Sequence, residues 1–278
     1  MIAISNPLSE EHSVMRTTLL GSLLGVSQRN LAHDLERVAL FESGRVYLRS
    51  DGIVDGPLAG RFPGERPPPV SEPHRLGCLA IGRLTEKAWR GGGEPADLFA
   101  LKGVLEGLGD RLGVSLGFEQ GAQPFLHPGR AAQVTVDGDG IGWIGEVHPL
   151  VCREWDLKAA VAFEIGLAPL VRAGEAGEET FEDVTTFPAI FQDLAAVVPR
   201  EASAAQVRQA VLDGGGELLR SAEVFDLYEG EQLGEGRKSL ALRLEFQAGD
   251  RTLTDEEVAR LRESIAARLE TIGGSIRE

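Results

Sequence analysis

Two stretches near the C-terminal end set a ring, a carboxylate, a hydroxyl and a guanidinium at alternating positions. The first is Val224-Phe225-Asp226-Leu227-Tyr228. The second, after the turn-rich Glu229–Arg237, is Lys238-Ser239-Leu240-Ala241-Leu242-Arg243-Leu244-Glu245-Phe246. Successive side chains of a strand point to opposite faces. Strict alternation therefore predicts a core face of Phe225, Leu227, Leu240, Leu242, Leu244 and Phe246, and an opposite face of Asp226, Tyr228, Ser239 and Arg243. A ring flanked by such polar groups suits an unstacked nucleobase, which needs a surface to stack on and partners for its edges. An antiparallel sheet with one ordinary wet face has the same pattern. These two strands alone do not separate the two readings.

The rest of the chain offers little chemistry. No GxxxxGK[ST] phosphate loop occurs, and no GxGxxG stands between a strand and a helix. His127-Pro128 and His148-Pro149 each precede a proline, which favours extended backbone, and neither has a second His or Cys at metal-ligand spacing. Asp137 and Asp139 flank Gly138 as a hairpin turn requires. Glu10-Glu11 reads as charge at a helix N-terminus. Ser13 and Ser22 lack the strand–turn–helix setting of a nucleophile. Neither a catalytic residue nor a metal ligand is expected.

The elements that must position the polar face parse cleanly over 187–278. Phe191–Val198 predicts a strand. Ser203 with Gln206 is a capping box opening a helix that Gly214-Gly215-Gly216 stops. The two strands above follow as a hairpin. Thr254 with Glu257 is a second capping box, and Val258, Leu261, Ile265, Leu269 and Ile272 form one apolar helical stripe. Ser275–Glu278 is a short last strand. This βαββαβ order is the ferredoxin-like arrangement, with both helices on one face and the other sheet face free.

Residues 1–170 are less regular. A leucine-rich helix runs through Leu19, Leu20, Leu23 and Leu24, and another carries Leu98, Leu101, Leu105 and Leu108. Strands are expected at Val38–Arg49, Leu76–Arg83, Ala132–Val136, Ile141–Val147 and Ala160–Ile165, with a proline-rich surface loop over Arg61–Pro73. The fold class is α+β, built on a mostly antiparallel sheet. Gly- and Glu-rich 171–186 reads as a linker between the two domains.

At 278 residues the chain can hold two cores. Its net charge of −15 is spread over all segments, which argues against general phosphate binding and for a local site if RNA is the partner. Cys78 and Cys152 stand far apart without a CxxC pair, so a reducing cytoplasm fits. No apolar stretch is long enough for a membrane helix.

With these residues in place, the chain resembles the C-terminal part of the bacterial phenylalanyl-tRNA synthetase beta subunit. Asn6-Pro7-Leu8-Ser9, Met15-Arg16-Thr17, Phe41-Glu42-Ser43-Gly44-Arg45-Val46-Tyr47, His127-Pro128-Gly129-Arg130 and Gly142-Trp143-Ile144-Gly145-Glu146-Val147-His148-Pro149 are similar to its catalytic-like domain. Phe187-Pro188-Ala189, Asp193-Leu194-Ala195, Phe225–Ser239 and Thr252-Leu253-Thr254-Asp255-Glu256-Glu257 are similar to its ferredoxin-fold anticodon-binding domain.

The resemblance implies a noncatalytic class II synthetase-like domain over 1–170 that scaffolds the alpha subunit. It implies a second domain over 187–278 that holds the anticodon stem-loop of phenylalanine tRNA. The first anticodon base would stack on Tyr228 and bond to Asp226 and Ser239, with Arg243 and Gln192 as supporting contacts. Gln192 stands where the family usually has arginine, and Gly21-Ser22 replaces a Pro-Gly pair. The implied partners are phenylalanine tRNA, the alpha subunit and the remainder of the beta subunit. No cofactor is expected on this chain, while ATP and magnesium serve the complete enzyme. The first domain reads as truncated at its N-terminus. The competing reading is a protein-interaction module working through the free face of a ferredoxin-like sheet. A third, amino-acid activation by this chain alone, lacks the glycine-rich, arginine-bearing motif that holds ATP.

Overall fold

The chain divides into two units, Met1–Glu179 and Thr180–Glu278. The computed structural model describes residues 2–9, 13–33, 35–49, 70–86, 88–89, 91–176 and 187–277. Glu10-Glu11, most of the proline-rich loop and 177–186 lie outside the described residues.

The first unit runs α1 (Leu20–Leu31), β1 (Val38–Arg45), β2 (Leu48–Arg49), β3 (Val70–Ser71), β4 (His74–Ile81), α2 (Leu98–Leu112), β5 (Leu116–Gln120), β6 (Leu126–Val136), β7 (Asp139–Val147), α3 (Pro149–Glu154), β8 (Val161–Gly166) and α4 (Leu167–Ala176). Six strands form one antiparallel sheet in the order β1-β4-β8-β7-β6-β5. Leu19, Leu20, Leu23 and Leu24 at the start of α1 pack on Leu79, Ile81 and Ala162 of one sheet face. Leu101, Leu105 and Leu170, from α2 and α4, pack on Ala80, Val161, Phe163 and Ile165 of the other. Central β8 is consequently buried along its whole length. Its Glu164 carboxylate is satisfied by the Thr18 hydroxyl at 2.5 Å and the Leu19 N–H at 2.8 Å. The Thr18 hydroxyl in turn accepts from the Leu20 N–H at 3.1 Å, so the start of α1 is tied to β8 although its cap residue Leu19 offers no side-chain cap. The β6–β7 turn puts Asp137 at φ 52° and Gly138 at φ 83°, the paired left-handed conformation of a tight hairpin.

Here the boundary expected from composition is corrected. Residues 171–176 belong to α4, and Leu170 and Ala173 pack into the core of the first unit, so the unit closes beyond the helix. Val38–Arg49 divides into β1 and β2, and β5 is an edge strand that the sequence reading did not contain.

The second unit runs β9 (Ile190–Pro199), α5 (Ala204–Gly215), β10 (Leu219–Tyr228), β11 (Arg237–Phe246), α6 (Asp255–Thr271) and β12 (Ser275–Arg277). The strand order is β10-β11-β9-β12, antiparallel throughout. Both capping boxes close: Ser203 and Gln206 exchange bonds at the start of α5, and Thr254 and Glu257 do so at the start of α6. The helices pack Val207, Val211, Val258, Ile265 and Leu269 against Leu194, Ala196, Val198, Leu240, Leu242, Leu244 and Phe246. Among the described residues no helix is long and apolar enough to cross a membrane.

Two expectations follow. Among the described residues, the second unit's core uses only those between 190 and 276, so 180–278 expressed alone should unfold in one cooperative transition. Gly214 lets α5 and α6 approach closely, since a Cβ there would lie 2.6 Å from the Ile265 Cα. Gly214→Ala should therefore lower the unfolding free energy of that transition by about 1–3 kcal/mol, read from denaturant titration. Glu257 gives a pH signature. The hydrogen bond from Arg251, and then the bond from the Thr254 backbone, pull its carboxyl from 4.5 to about 2. A depressed folded pKa stabilises above the unfolded value and loses that stabilisation as pH falls through the folded one. Glu257→Gln should flatten the stability–pH curve between about pH 4.5 and 2 and leave its slope at neutral pH unchanged.

Candidate nucleic-acid interface

β11 lies between β9 and β10, and its even residues Leu240, Leu242, Leu244 and Phe246 are all in the core. Ser239, Ala241, Arg243 and Glu245 must then face away from the helices. Across the ladder, Tyr228 pairs with Ser239 and Asp226 with Ala241. Directly opposed residues share a face, so Asp226, Tyr228, Ser239 and Arg243 do stand on the helix-free side, as the sequence alternation predicts.

They reach it by another route. The register shifts between Val224↔Leu242 and Asp226↔Ala241, which leaves Phe225 as the extra residue of a bulge. Before the bulge, Ala222 and Val224 lie opposite core residues Leu244 and Leu242. After it, Leu227 takes over that side, opposite Leu240. Phe225 is therefore not a core residue. It is 52% exposed, with the Arg243 guanidinium 5.2 Å from its ring centroid. Leu227 turns toward the helix side but is 55% exposed, so it too is no core anchor. The sequence does carry a signal of this. Apolar residues occupy even positions at Ala222 and Val224 and odd ones at Phe225 and Leu227, a change of parity that one unbroken strand cannot place on a single face.

Tyr228 is 43% exposed. Its hydroxyl end rests against Gly230, where a Cβ would lie 2.3 Å from the phenolic oxygen and 2.6 Å from Cζ. Gly230 was not singled out from sequence, although a glycine two residues after an exposed ring is a recognisable seat for it. Asp226 turns one carboxylate oxygen back to accept from the Leu227 N–H at 2.9 Å, which fixes its direction. Ser239 is only 7% exposed. It sits at the right place in the ladder, largely covered by its neighbours.

Arg243 donates from Nε and Nη2 to the two carboxylate oxygens of Asp193, at 3.1 and 3.4 Å. That hydrogen bond, with the charges of Asp193 and Glu223, raises the guanidinium above its ordinary value. The pair is exposed, so it orients the side chain more than it stabilises the fold. Gln192 is a correction. It pairs with Leu244 in the ladder, on the core side, and accepts from Arg262 of α6 at 3.3 Å. With Asp193 on the free face, the neighbouring residue has to point to the helices, so Gln192 is no contact of the free face.

The first unit holds a hollow of about 750 Å³ whose wall includes Thr18, Arg75, Trp143 and Glu164, and its buried carboxylate is already committed to Thr18 and Leu19. Burial pushes the Cys78 thiol up to about 11 and raises Cys152, away from the thiolate a nucleophile needs. Among the described residues, no group of three or more His, Cys, Asp or Glu is placed to hold a metal ion.

Comparison with known proteins follows the division into units. Residues 1–167 match the phenylalanyl tRNA synthetase beta chain CLM domain, and residues 185–277 match the ferredoxin-fold anticodon binding domain. The phenylalanine–tRNA ligase beta subunit of Halalkalibacterium halodurans is 39% identical over 99% of this chain and 33% of its own length. That of Symbiobacterium thermophilum is 38% identical over 99% of this chain and 30% of its own. That of Geobacillus kaustophilus is 36% identical over 99% and 33%. The chain spans about a third of the length of the curated relatives it matches. With one family model on the six-stranded unit and the other on the ferredoxin-like unit, in that order and almost end to end, the chain belongs to the phenylalanyl tRNA synthetase beta chain family.

Proposed function

We propose that this chain serves phenylalanine–tRNA ligase as part of its beta subunit, the second unit gripping the anticodon stem-loop of phenylalanine tRNA and the first acting as a noncatalytic scaffold for the alpha subunit. In this reading the assembly is a cytoplasmic heterotetramer. The complete enzyme uses ATP and magnesium, and this chain binds neither. One observation carries the RNA part of the proposal: Asp226 and Tyr228 share the helix-free face of a unit that matches an anticodon-binding family over residues 185–277.

The chemistry follows from the two side chains. Base–aromatic stacking tolerates any base, because every base has a π-face. The Tyr228 ring thus supplies affinity. An ionised carboxylate only accepts hydrogen bonds, so Asp226 favours a base that presents N–H donors on its edge. Since one of its oxygens is taken by the Leu227 N–H, the other meets the base from a fixed direction. Ser239 joins this contact when side chains around it rearrange. Local groups of this kind also suit the charge balance, because a chain of net charge −15 cannot rely on attraction to phosphates. The protein-interaction reading receives no comparable support, since neither matched family is described as a protein-docking module.

Stem-loop titrations at fixed salt test the reading. Tyr228→Ala should weaken binding by about 1–3 kcal/mol, and Tyr228→Phe by far less, because the ring face stays. Asp226→Asn should instead relax discrimination at the stacked base. Melting curves should show all three folded, since neither side chain is in the core. Normal binding by folded Tyr228→Ala would refute the site. For the scaffold role, pyrophosphate exchange with ATP and phenylalanine on the purified chain should equal background, and clear phenylalanine-dependent exchange would refute it.

A further inference from the structure

We infer that Phe225 and Arg243 form a second stacking position on the free sheet face, which receives an unpaired base adjacent to the one held by Tyr228. The inference rests on the anticodon-binding reading above and extends it by one nucleotide. Its starting point is the bulge. A β10 that kept its register would put Phe225 and Tyr228, three positions apart, on opposite faces of the sheet. Instead the extra residue goes to Phe225, and the ring is half exposed on the same face as Asp226 and Tyr228. Bulges commonly re-aim a side chain beside a functional site.

The surroundings of the ring are built for stacking. Arg243 lies over it at 5.2 Å, and Asp193 holds the guanidinium with two hydrogen bonds. Unstacked bases pack on guanidinium planes as well as on aromatic rings. Here the plane is already oriented, and its charge is offset by Asp193. Beyond it, Phe191 is 62% exposed and shares with Asp193 and Arg243 a shallow hollow of about 500 Å³. Tyr228 and Phe225 are three positions apart on one strand, roughly 10 Å at the rise of an extended chain. Proteins that hold single strands place successive bases on successive rings in this way. Continuity with the Tyr228 position on the same strand is what selects an RNA loop as occupant.

A thermodynamic cycle on the full chain tests this. Anticodon stem-loops are prepared with an abasic nucleotide at the position stacked on Tyr228 or at either flanking position, and each is titrated against wild type, Phe225→Ala, Phe225→Tyr and Tyr228→Ala. In wild type, the abasic change at one flanking position should weaken binding about tenfold, the scale of one stacking contact. In Phe225→Ala the same change should cost less than twofold, and Phe225→Tyr should restore the wild-type penalty. Tyr228→Ala should couple to the central position instead. Phe225→Leu keeps apolar bulk without a ring and must reproduce the loss seen with alanine, which separates stacking from any change in folding. Equal abasic penalties in wild type and Phe225→Ala would overturn the second position while Tyr228 coupling persists. Loss of coupling at both residues would overturn the anticodon reading itself.

Discussion

The register of β11 is the constraint on which the second unit depends. It pairs with β9 without interruption from Arg237↔Pro199 to Phe246↔Ile190, and its four even apolar residues are in the core. With that strand held on both sides, no residue of the sheet is free to choose its face. Asp193 must stand across from Arg243, Gln192 must turn to α6, and Ser239 must oppose Tyr228. The misfit of β10, whose apolar residues change parity part-way along, is absorbed by local bulging rather than by slippage. A one-residue slip would exchange the two faces of the whole strand. The bulge sets Phe225 outside the ladder and leaves its ring where a ligand can meet it.

The two units use antiparallel sheet in opposite ways. In the first, helices cover both faces, and β8 is buried along its length. In the second, α5 and α6 cover one face, and the other keeps its side chains accessible. Open and covered sheet faces thus fall to different units because their layer counts differ, a distinction independent of any single residue.

Much of this was legible in the sequence. Both helix starts in the second unit were readable because a capping box is local, with its two residues three apart. The ferredoxin-like order followed from those starts and the alternation of β11, and the resemblance named both families. What escaped depends on distant partners or on broken periodicity. Leu170 and Ala173 of α4 were hidden by the Gly- and Glu-rich run that follows them. Edge strand β5 is short and half-exposed. The place of Phe225 required the register with β11, and the burial of Ser239 depends on what surrounds it in three dimensions. Gln192 was named as a supporting contact because it stands where the family usually has arginine, although its parity relative to Asp193 turns it to the helix side.

The bond from Glu164 to the start of α1 has a consequence for how the chain is made. The Leu19 N–H and its acceptor are 145 residues apart. A ribosome adding about 5–20 residues per second needs on the order of ten seconds to cover that distance. Throughout that interval α1 has emerged, the Leu19 N–H lacks its Glu164 acceptor, and Leu19, Leu20, Leu23 and Leu24 have no Ala162 to pack on. The six-stranded unit therefore cannot mature from its N-terminus in the order it is synthesised. It closes when β8 arrives to join the strands already made, and contacts of such separation are slow to form. The ferredoxin-like unit follows immediately and needs nothing synthesised earlier for its core. During synthesis, then, residues 187–278 can complete their core soon after residues 1–176 complete theirs.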